Sequence, residues 1–322
     1  MAALILPAGE YVVDVERSGV IESRHRGHLV VLGPDGAVER RIGDPEAAIF
    51  PRSTNKPLQA VGLHRLGVQL TEDQLALAAA SHSGEPMHIA IVQAILARYS
   101  LDEAALRCPP ALPADSAAAA AILRAGDDAR RIYMTCSGKH SAMLATCVEN
   151  GWPVASYLDA EHPLQRALAA TVADLAGEPI AAIGVDGCGA PVFALSLSVL
   201  ARCYLHLVTA TAGAEFAVAG AVRGRPHLVA GSGRAATRLM AGYPGLLAKD
   251  GADGVFAAAL PGVGALAVKI DDGSGPAAEV ALAAGLQALG LSGPLLDELA
   301  APPVLGGDRV VGHLHPAVAL TG

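Results

Sequence analysis

The sequence predicts a mixed α/β (α+β) fold in which strands from both chain ends enclose a mostly helical middle. Three observations carry this expectation. Short, turn-bounded segments of mixed polarity fill the first 50 residues, a helix-capping pattern opens a helical stretch at residues 71–74, and two strand-like segments joined by Pro261-Gly262-Val263 return near residue 254.

Taken in order, residues 11–15, 27–32 and 37–42 read as strands, the last two joined by the turn Gly33-Pro34-Asp35-Gly36. The pattern turns helical at Ser53. Thr71-Glu72-Asp73-Gln74 is a capping box, whose threonine and glutamine side chains satisfy backbone N–H groups at the start of a helix expected to run through Ala80. Further helices are expected over 87–99, over 116–125 despite the alanine run 117–121, from Lys139 onward, and over 161–175. A strand over 180–185 then runs into Asp186-Gly187-Cys188-Gly189, a strand-to-turn unit of the kind that builds sites. Helices over 192–204 and 214–222, a hairpin over 254–260 and 264–270, a helix over 277–289 and a Gly/Pro-rich tail complete the chain. Linker composition and internal repeats are both lacking, so the expectation is one unit, 1–322, with its sheet from about 10–50 and 254–322 and its helical middle over about 53–250.

Composition excludes several classes. The 322 residues carry a net charge of −8, which argues against a nucleic-acid binder of the basic-patch kind, and 52% hydrophobic residues against 17% charged argue against disorder. Apolar runs fall short of a membrane span, the first residues lack a basic leader, and a cytoplasmic protein without membrane partners is expected. Five scattered cysteines suit metal ligands or reactive thiols better than a disulfide framework. Lysine is the informative residue. Only Lys56, Lys139, Lys249 and Lys269 occur among 23 basic residues. Arginine stays protonated whereas lysine can be desolvated to a free amine, so a chain that builds its surface with arginine keeps lysine where that difference matters.

Four constellations could carry chemistry. Ser53-Thr54-Asn55-Lys56 is a Ser-x-x-Lys in which a lysine amine could deprotonate a serine hydroxyl; the plain alternative is a helix-capping serine beside a solvated lysine. Ser81-His82-Ser83-Gly84-Glu85 follows the capped helix, where the alternative is an ordinary polar helix end. Lys269-Ile270-Asp271-Asp272-Gly273 ends the later strand, and a Ser-x-x-Lys, a second serine and a strand-borne lysine recur in this order in penicillin-recognising serine enzymes. In the fourth, Cys136-Ser137-Gly138-Lys139-His140 and Asp186-Gly187-Cys188 set two cysteines in glycine turns; a zinc site, two buried thiols, a redox pair and a nucleophilic Cys136 with His140 as its base rank nearly level. Gly231-Ser232-Gly233 after the strand-like 227–230 mimics a dinucleotide fingerprint but lacks its third glycine, and His313-Leu314-His315 reads as a loop pair.

Together with Glu22-Ser23-Arg24-His25-Arg26-Gly27-His28 and Leu228-Val229-Ala230-Gly231-Ser232-Gly233-Arg234, these segments resemble the rhizobial-type, or class 3, L-asparaginases of the asparaginase II family, in order and over nearly the whole chain. The resemblance implies a fold like that of serine β-lactamases and glutaminases, hydrolysis of the L-asparagine side-chain amide, and a homodimer. It implies two Ser-Lys tandems, Ser53 with Lys56 and Ser81 with Lys269; the expected chemistry is acyl transfer in which Ser53, deprotonated by Lys56, attacks and Ser81 and Lys269 relay protons and anchor negative charge. It further implies zinc held by Cys136, Lys139 and Cys188 with Asp186 beside it, and Arg52, Ser83, His140 and Asp186 as substrate-binding residues. Glutaminase or broader amidohydrolase activity, and a zinc-dependent amino-acid-binding protein without catalysis, are the competing readings. The chain departs from the family at Cys108-Pro109-Pro110-Ala111 and Ala235-Ala236-Thr237, and Lys249 has no assigned role.

Overall fold

The computed structural model describes residues 5–317 and 320; Met1 to Leu4 of the leader reading, and 318, 319, 321 and 322 of the expected tail, lie outside them. The chain opens with β1 (Glu10–Arg17), β2 (Val20–Leu32), β3 (Val38–Ile42) and β4 (Ala48–Ile49). The helical middle is α1 (Lys56–Arg65), α2 (Glu72–Ala78), α3 (Pro86–Arg98), α4 (Ser116–Arg124), α5 (Ser137–Glu149) and α6 (Pro163–Ala176). After β5 (Ile183–Val185), β6 (Pro191–Phe193) and β7 (Leu195–Ser196) come α7 (Leu197–Thr209), α8 (Gly213–Gly224), α9 (Pro226–Val229) and α10 (Ala235–Gly242). The chain closes with β8 (Leu247–Asp250), β9 (Val255–Leu260), β10 (Gly264–Ile270), α11 (Gly275–Ala288), α12 (Pro294–Ala300), β11 (Pro303–Gly306) and β12 (Arg309–Pro316).

These elements form two compact units, one of residues 1–54, 194–209 and 238–322 and the other of 55–193 and 210–237, so the chain passes between them after 54, 193, 209 and 237. The first unit holds an antiparallel sheet in the order β11-β12-β1-β2-β10-β9-β8, with β3 also on β2. Strands from the two chain ends share this sheet, as expected: β2 pairs with β10 at His28↔Lys269, and β1 with β12 at Asp14↔His315. Consecutive residues 255–259 and 265–268 are all buried, which requires cover on both sheet faces, and α7 and α11 pack against these strands. Gly285 of α11 lies over Leu266, where a Cβ would strike the leucine side chain, so a residue without one sets the close helix–sheet approach.

In the second unit α1 is buried from Lys56 to Leu63 and packs against α5, α6 and α8. The capping box is present with both bonds, Gln74 N–H to Thr71 Oγ1 at 3.3 Å and Thr71 N–H to Gln74 Oε1 at 3.0 Å. Gly138 meets Leu77, where a Cβ would come within 2.6 Å of backbone and side chain, and its bareness lets α5 approach α2.

Four expectations change. The helix expected over 192–204 begins at Leu197, because Pro191–Phe193 pairs as β6 with β5. The strand-like 227–230 is the helix α9, started by Pro226, whose preset φ and missing N–H suit the first helical position. The Gly/Pro-rich tail is structured: Pro294 opens α12, and Pro303 begins β11, an edge strand where a proline forfeits no ladder bond. His313 and His315 therefore sit in strand β12, not in a loop. Among the described residues no single helix is long and apolar enough to cross a membrane.

Candidate active site

Within the second unit the site is built around Lys56, the first residue of α1, which is 1% exposed. Its Nζ donates to Ala80 O at 2.6 Å and Ser81 Oγ at 2.9 Å. Ser81 lies where the chain has left α2, fixed by Ser81 N–H to Val229 O (2.9 Å), His82 N–H to Thr135 O (3.1 Å) and Asp115 N–H to Ser83 O (2.8 Å). The Ser137 hydroxyl donates to Ile132 O at 2.7 Å, so it accepts from His82 Nε2–H at 3.0 Å. Burial first, then His88 and Lys56, hold the His82 imidazole well below its ordinary value, and it stacks neutral on His88 with centroids 5.1 Å apart. Beyond it, Ser83 Oγ donates to Glu85 Oε1 at 2.6 Å, and Ser232 donates to the same carboxylate through its N–H (2.8 Å) and hydroxyl (2.9 Å). Burial alone would raise the Glu85 carboxyl; these bonds outweigh it and hold the group below its usual range. Gly231 stands at φ +119°, a conformation that favours glycine, and a Cβ there would strike Ser83.

A second cluster joins Cys136, Lys139 and Cys188, all buried. Cys136 immediately precedes α5 and Lys139 lies in its first turn; Cys188 sits in the β5–β6 connection, closed by Gly189 N–H to Asp186 O (2.8 Å) and Asp186 N–H to Ala190 O (2.9 Å). The hydrogen bond from Cys136 pulls the Cys188 thiol down to about 5 against the effect of burial, with Lys139 assisting. That bond and burial push Cys136 up to about 12. Burial would lower Lys139, but Cys188, Cys136 and Asp186 outweigh it and raise the amine. The result is a thiolate held by a thiol and an ammonium, with an Asp186 carboxylate oxygen 3.9 Å from Cys188 Sγ.

His140, one residue on, completes this surface. Tyr157 Oη accepts the Arg107 N–H at 3.0 Å and lies 2.6 Å from His140 Nδ1. Burial, then Lys139, push His140 down to about 3. Its Nε2 is buried without a partner among the described residues, and an unmet polar group of this kind costs about 1–3 kcal/mol.

In the first unit, Arg52 and Asp253 both adopt positive φ, +52° and +56°, and form an ion pair with each other. Lys269 Nζ donates to Asp253 O (2.7 Å) and Ile270 O (2.5 Å); burial, reinforced by Arg52 and opposed by Asp271 and Asp272, lowers its amine. Ser53 occupies the 3-10 turn Arg52–Asn55, half-buried, and its hydroxyl has no hydrogen-bond partner among the described residues. Tyr204 Oη donates to Thr54 O at 2.7 Å, and Gly251 presses on this turn, where a Cβ would meet Pro51 O at 3.0 Å. Lys249, two residues earlier, is buried and donates to Asp250 O (2.6 Å) and Oδ1 (2.9 Å).

Residues 13–316 match the model of the family described as L-asparaginase II. The chain belongs to that family. Its activity class is thereby asparaginase-type amide hydrolysis of a small-molecule substrate. No curated protein sequence matches the chain. A crystal structure titled a β-lactamase, from Mycobacterium bovis, is similar at 17% identity, over 78% of this chain and 89% of its own, with a TM-score of 0.46.

Within this asparaginase II chain the expected residues fall into three sets. Lys56, Ser81 and Ser83 share one network; Cys136, Lys139, Cys188, Asp186 and His140 share another; Arg52, Ser53 and Lys269 lie in the first unit. Of the lysines in the implied tandems, Lys56 bonds to Ser81, and Lys269 to backbone carbonyls. The alternative of a solvated Lys56 fails, since the side chain is buried. Sequence reasoning missed Glu85, Asp253 and Tyr157 as site-building residues. Glu85 stood inside a quoted motif; Asp253 and Tyr157 reach their partners across more than 15 residues of chain and leave no local signal.

Proposed function

We propose that the protein hydrolyses the side-chain amide of L-asparagine to L-aspartate and ammonia through a lysine-activated serine. The observation that carries the reading is the buried Lys56 Nζ to Ser81 Oγ contact of 2.9 Å in a chain of this family. Working as the free amine, Lys56 takes the hydroxyl proton, Ser81 Oγ bonds to the amide carbon, and the C–N bond breaks as the proton passes to leaving ammonia. Water then attacks the resulting ester, giving its proton to Lys56, and aspartate leaves as Lys56 returns that proton to Ser81 Oγ.

A second reading makes Ser53 the attacking hydroxyl. It is favoured by the unengaged Ser53 hydroxyl and by the positive-φ Arg52 that precedes it. Mass spectrometry of rapidly quenched enzyme decides between them, because the serine that carries the aspartyl ester is the one that attacked.

The residues also suit zinc. Two sulfur donors and an amine match its preference for sulfur and nitrogen; among the described residues no three His, Cys, Asp or Glu side chains are arranged to hold a metal, so the reading depends on Lys139. Cys136, Lys139 and Cys188 would hold the ion, which would supply a Lewis-acidic point for orienting an anionic substrate group. Glutaminase activity is the nearest competitor, and turnover of glutamine against asparagine measures it.

A further inference from the structure

Within the first unit, the connection between β8 and β9 touches two of the implied site residues, Arg52 and Lys269. Its root is fixed by Lys249, whose buried Nζ donates to Asp250 O (2.6 Å) and Oδ1 (2.9 Å), and by Gly251 N–H to Val255 O (2.7 Å). Its tip is Asp253, which reaches in two directions. The carboxylate pairs with Arg52, the residue before Ser53, and the main-chain oxygen accepts from Lys269 Nζ at 2.7 Å. Ile270 N–H donates to Gly254 O at 2.9 Å, so the strand that carries Lys269 is tied to the same tip. Stability does not account for this arrangement. Arg52 and Asp253 are two of the four non-glycine residues at positive φ among the described residues, and a left-handed conformation is unfavourable for a residue with a Cβ. The ion pair between them lies at the surface, with the Asp253 side chain 62% exposed, where such pairs contribute little. Strain kept without a return in stability points to a geometry the fold maintains for another purpose.

The bond to Lys269 shows what is maintained. A lysine nitrogen has three positions besides its bond to carbon, and on Lys269 Nζ two of them are filled by hydrogens donated to Asp253 O and Ile270 O. The third carries a lone pair when the amine is free and an N–H when it is charged. Two carbonyls fix its direction in either state; with one of them gone, the group turns about its last C–N bond. Ile270 O belongs to β10 itself, whereas Asp253 O is presented from a loop by a residue at positive φ. We infer that Asp253 is a positioning residue: its main-chain oxygen aims the remaining position of Lys269 Nζ, and its carboxylate holds Arg52 and with it the turn that carries Ser53. The inference rests on the amide-hydrolysis reading for the reaction this geometry serves. It also gives Lys249 a place, as the buried anchor of the loop that carries Asp253.

Three substitutions separate the two arms. Asp253→Asn removes the charge and Asp253→Gly the whole side chain, yet both residues accept positive φ; Asp253→Ala removes the side chain and disfavours that backbone as well. The chain has only four lysines, so 13C-lysine-labelled protein gives four side-chain signals in NMR spectra, and the Lys269 signal is the one missing from Lys269→Met. The expected result is a Lys269 signal that stays in place in Asp253→Asn and Asp253→Gly and is displaced in Asp253→Ala. Ammonia release follows the same order: kcat falls about 10²-fold in Asp253→Ala, the scale of a misplaced group, and stays within about tenfold of wild type in the other two, which lose only the surface ion pair. A merely structural role would lower Tm in all three and leave both the Lys269 signal and the kcat of folded enzyme unchanged. An unmoved Lys269 signal in Asp253→Ala, a signal that moves as far in Asp253→Gly, or equal kcat for the Gly and Ala variants would overturn the proposal. Wild type that releases no ammonia, with the Lys269 signal displaced in Asp253→Ala and not in Asp253→Gly, would instead refute the hydrolysis reading and leave the positioning role standing.

Discussion

Two serine segments are built in opposite ways. The Ser81 segment is pinned: three backbone bonds hold it in place, Lys56 holds its hydroxyl, and Glu85 clasps Ser83 and Ser232 behind it. The Ser53 turn is strained: its predecessor Arg52 sits at positive φ, ion-paired to another positive-φ residue, and the serine hydroxyl is unengaged. A pinned hydroxyl with a buried amine is equipped for proton transfer, which demands a fixed short distance; strained backbone marks places where a fold gives up stability to hold an unusual geometry. The comparison teaches that the two serine segments are not duplicates, and it can be broken or sharpened in four ways.

The largest effect is expected at the pinned pair. Ser81→Ala and Lys56→Met each lower kcat by about 10³-fold or more, the scale seen when a nucleophile–base unit is broken, and the two together cost little more than either alone. Steady-state ammonia release with circular dichroism as a control for folding checks this.

Metal binding comes next. Cys188, down at about 5, is already a thiolate at neutral pH, while Cys136, up at about 12, and the raised Lys139 are protonated. Loading zinc therefore releases about two protons, and affinity rises with pH about 100-fold per unit in the neutral range. Calorimetry in buffers of different ionisation enthalpy counts the protons, and Cys188→Ser is expected to lose the ion altogether.

At the clasp, Gly231→Ala places a methyl against Ser83 at a φ that disfavours it, and is expected to lower stability by about 1–3 kcal/mol, read as a fall in Tm. The smallest effect belongs to Glu85. Folding lowers its carboxyl below the ordinary 4.5, so its contribution is full above that value and is lost as pH falls through the folded value. The gap in urea midpoint between wild type and Glu85→Gln is thus constant at neutral pH and closes in acid.

Much of this was legible in the sequence, and the failures have physical causes. The capping box at Thr71 and Gln74 and the β9–β10 hairpin are local, set by residues within a few positions, and both are present. The four scarce lysines are all engaged, and three of them, Lys56, Lys139 and Lys249, are buried, as the argument from arginine usage anticipated. Pairing was not legible. The Ser-x-x-Lys segment spans the 3-10 turn Arg52–Asn55 and the first residue of α1, Lys56, but the bond that Lys56 makes to Ser81 reaches across 25 residues of chain and leaves no local signal. Strands β11 and β12 were hidden because Gly and Pro punctuate the tail, although Pro303 starts the edge strand β11 and Pro316 ends β12. Gly231-Ser232-Gly233 was recognised as a poor phosphate loop, but its use as a clasp depends on Glu85, 146 residues earlier in the chain than Gly231.

The most direct test of the central claim, that the buried Lys56–Ser81 pair carries the chemistry, is ammonia release from L-asparagine by wild type, Ser81→Ala and Ser53→Ala at matched zinc content. The account predicts that Ser81→Ala loses about 10³-fold or more with its zinc retained, and that Ser53→Ala is impaired less. A Ser81→Ala enzyme within tenfold of wild type, beside an inactive Ser53→Ala, would contradict it and move the attack to the strained turn.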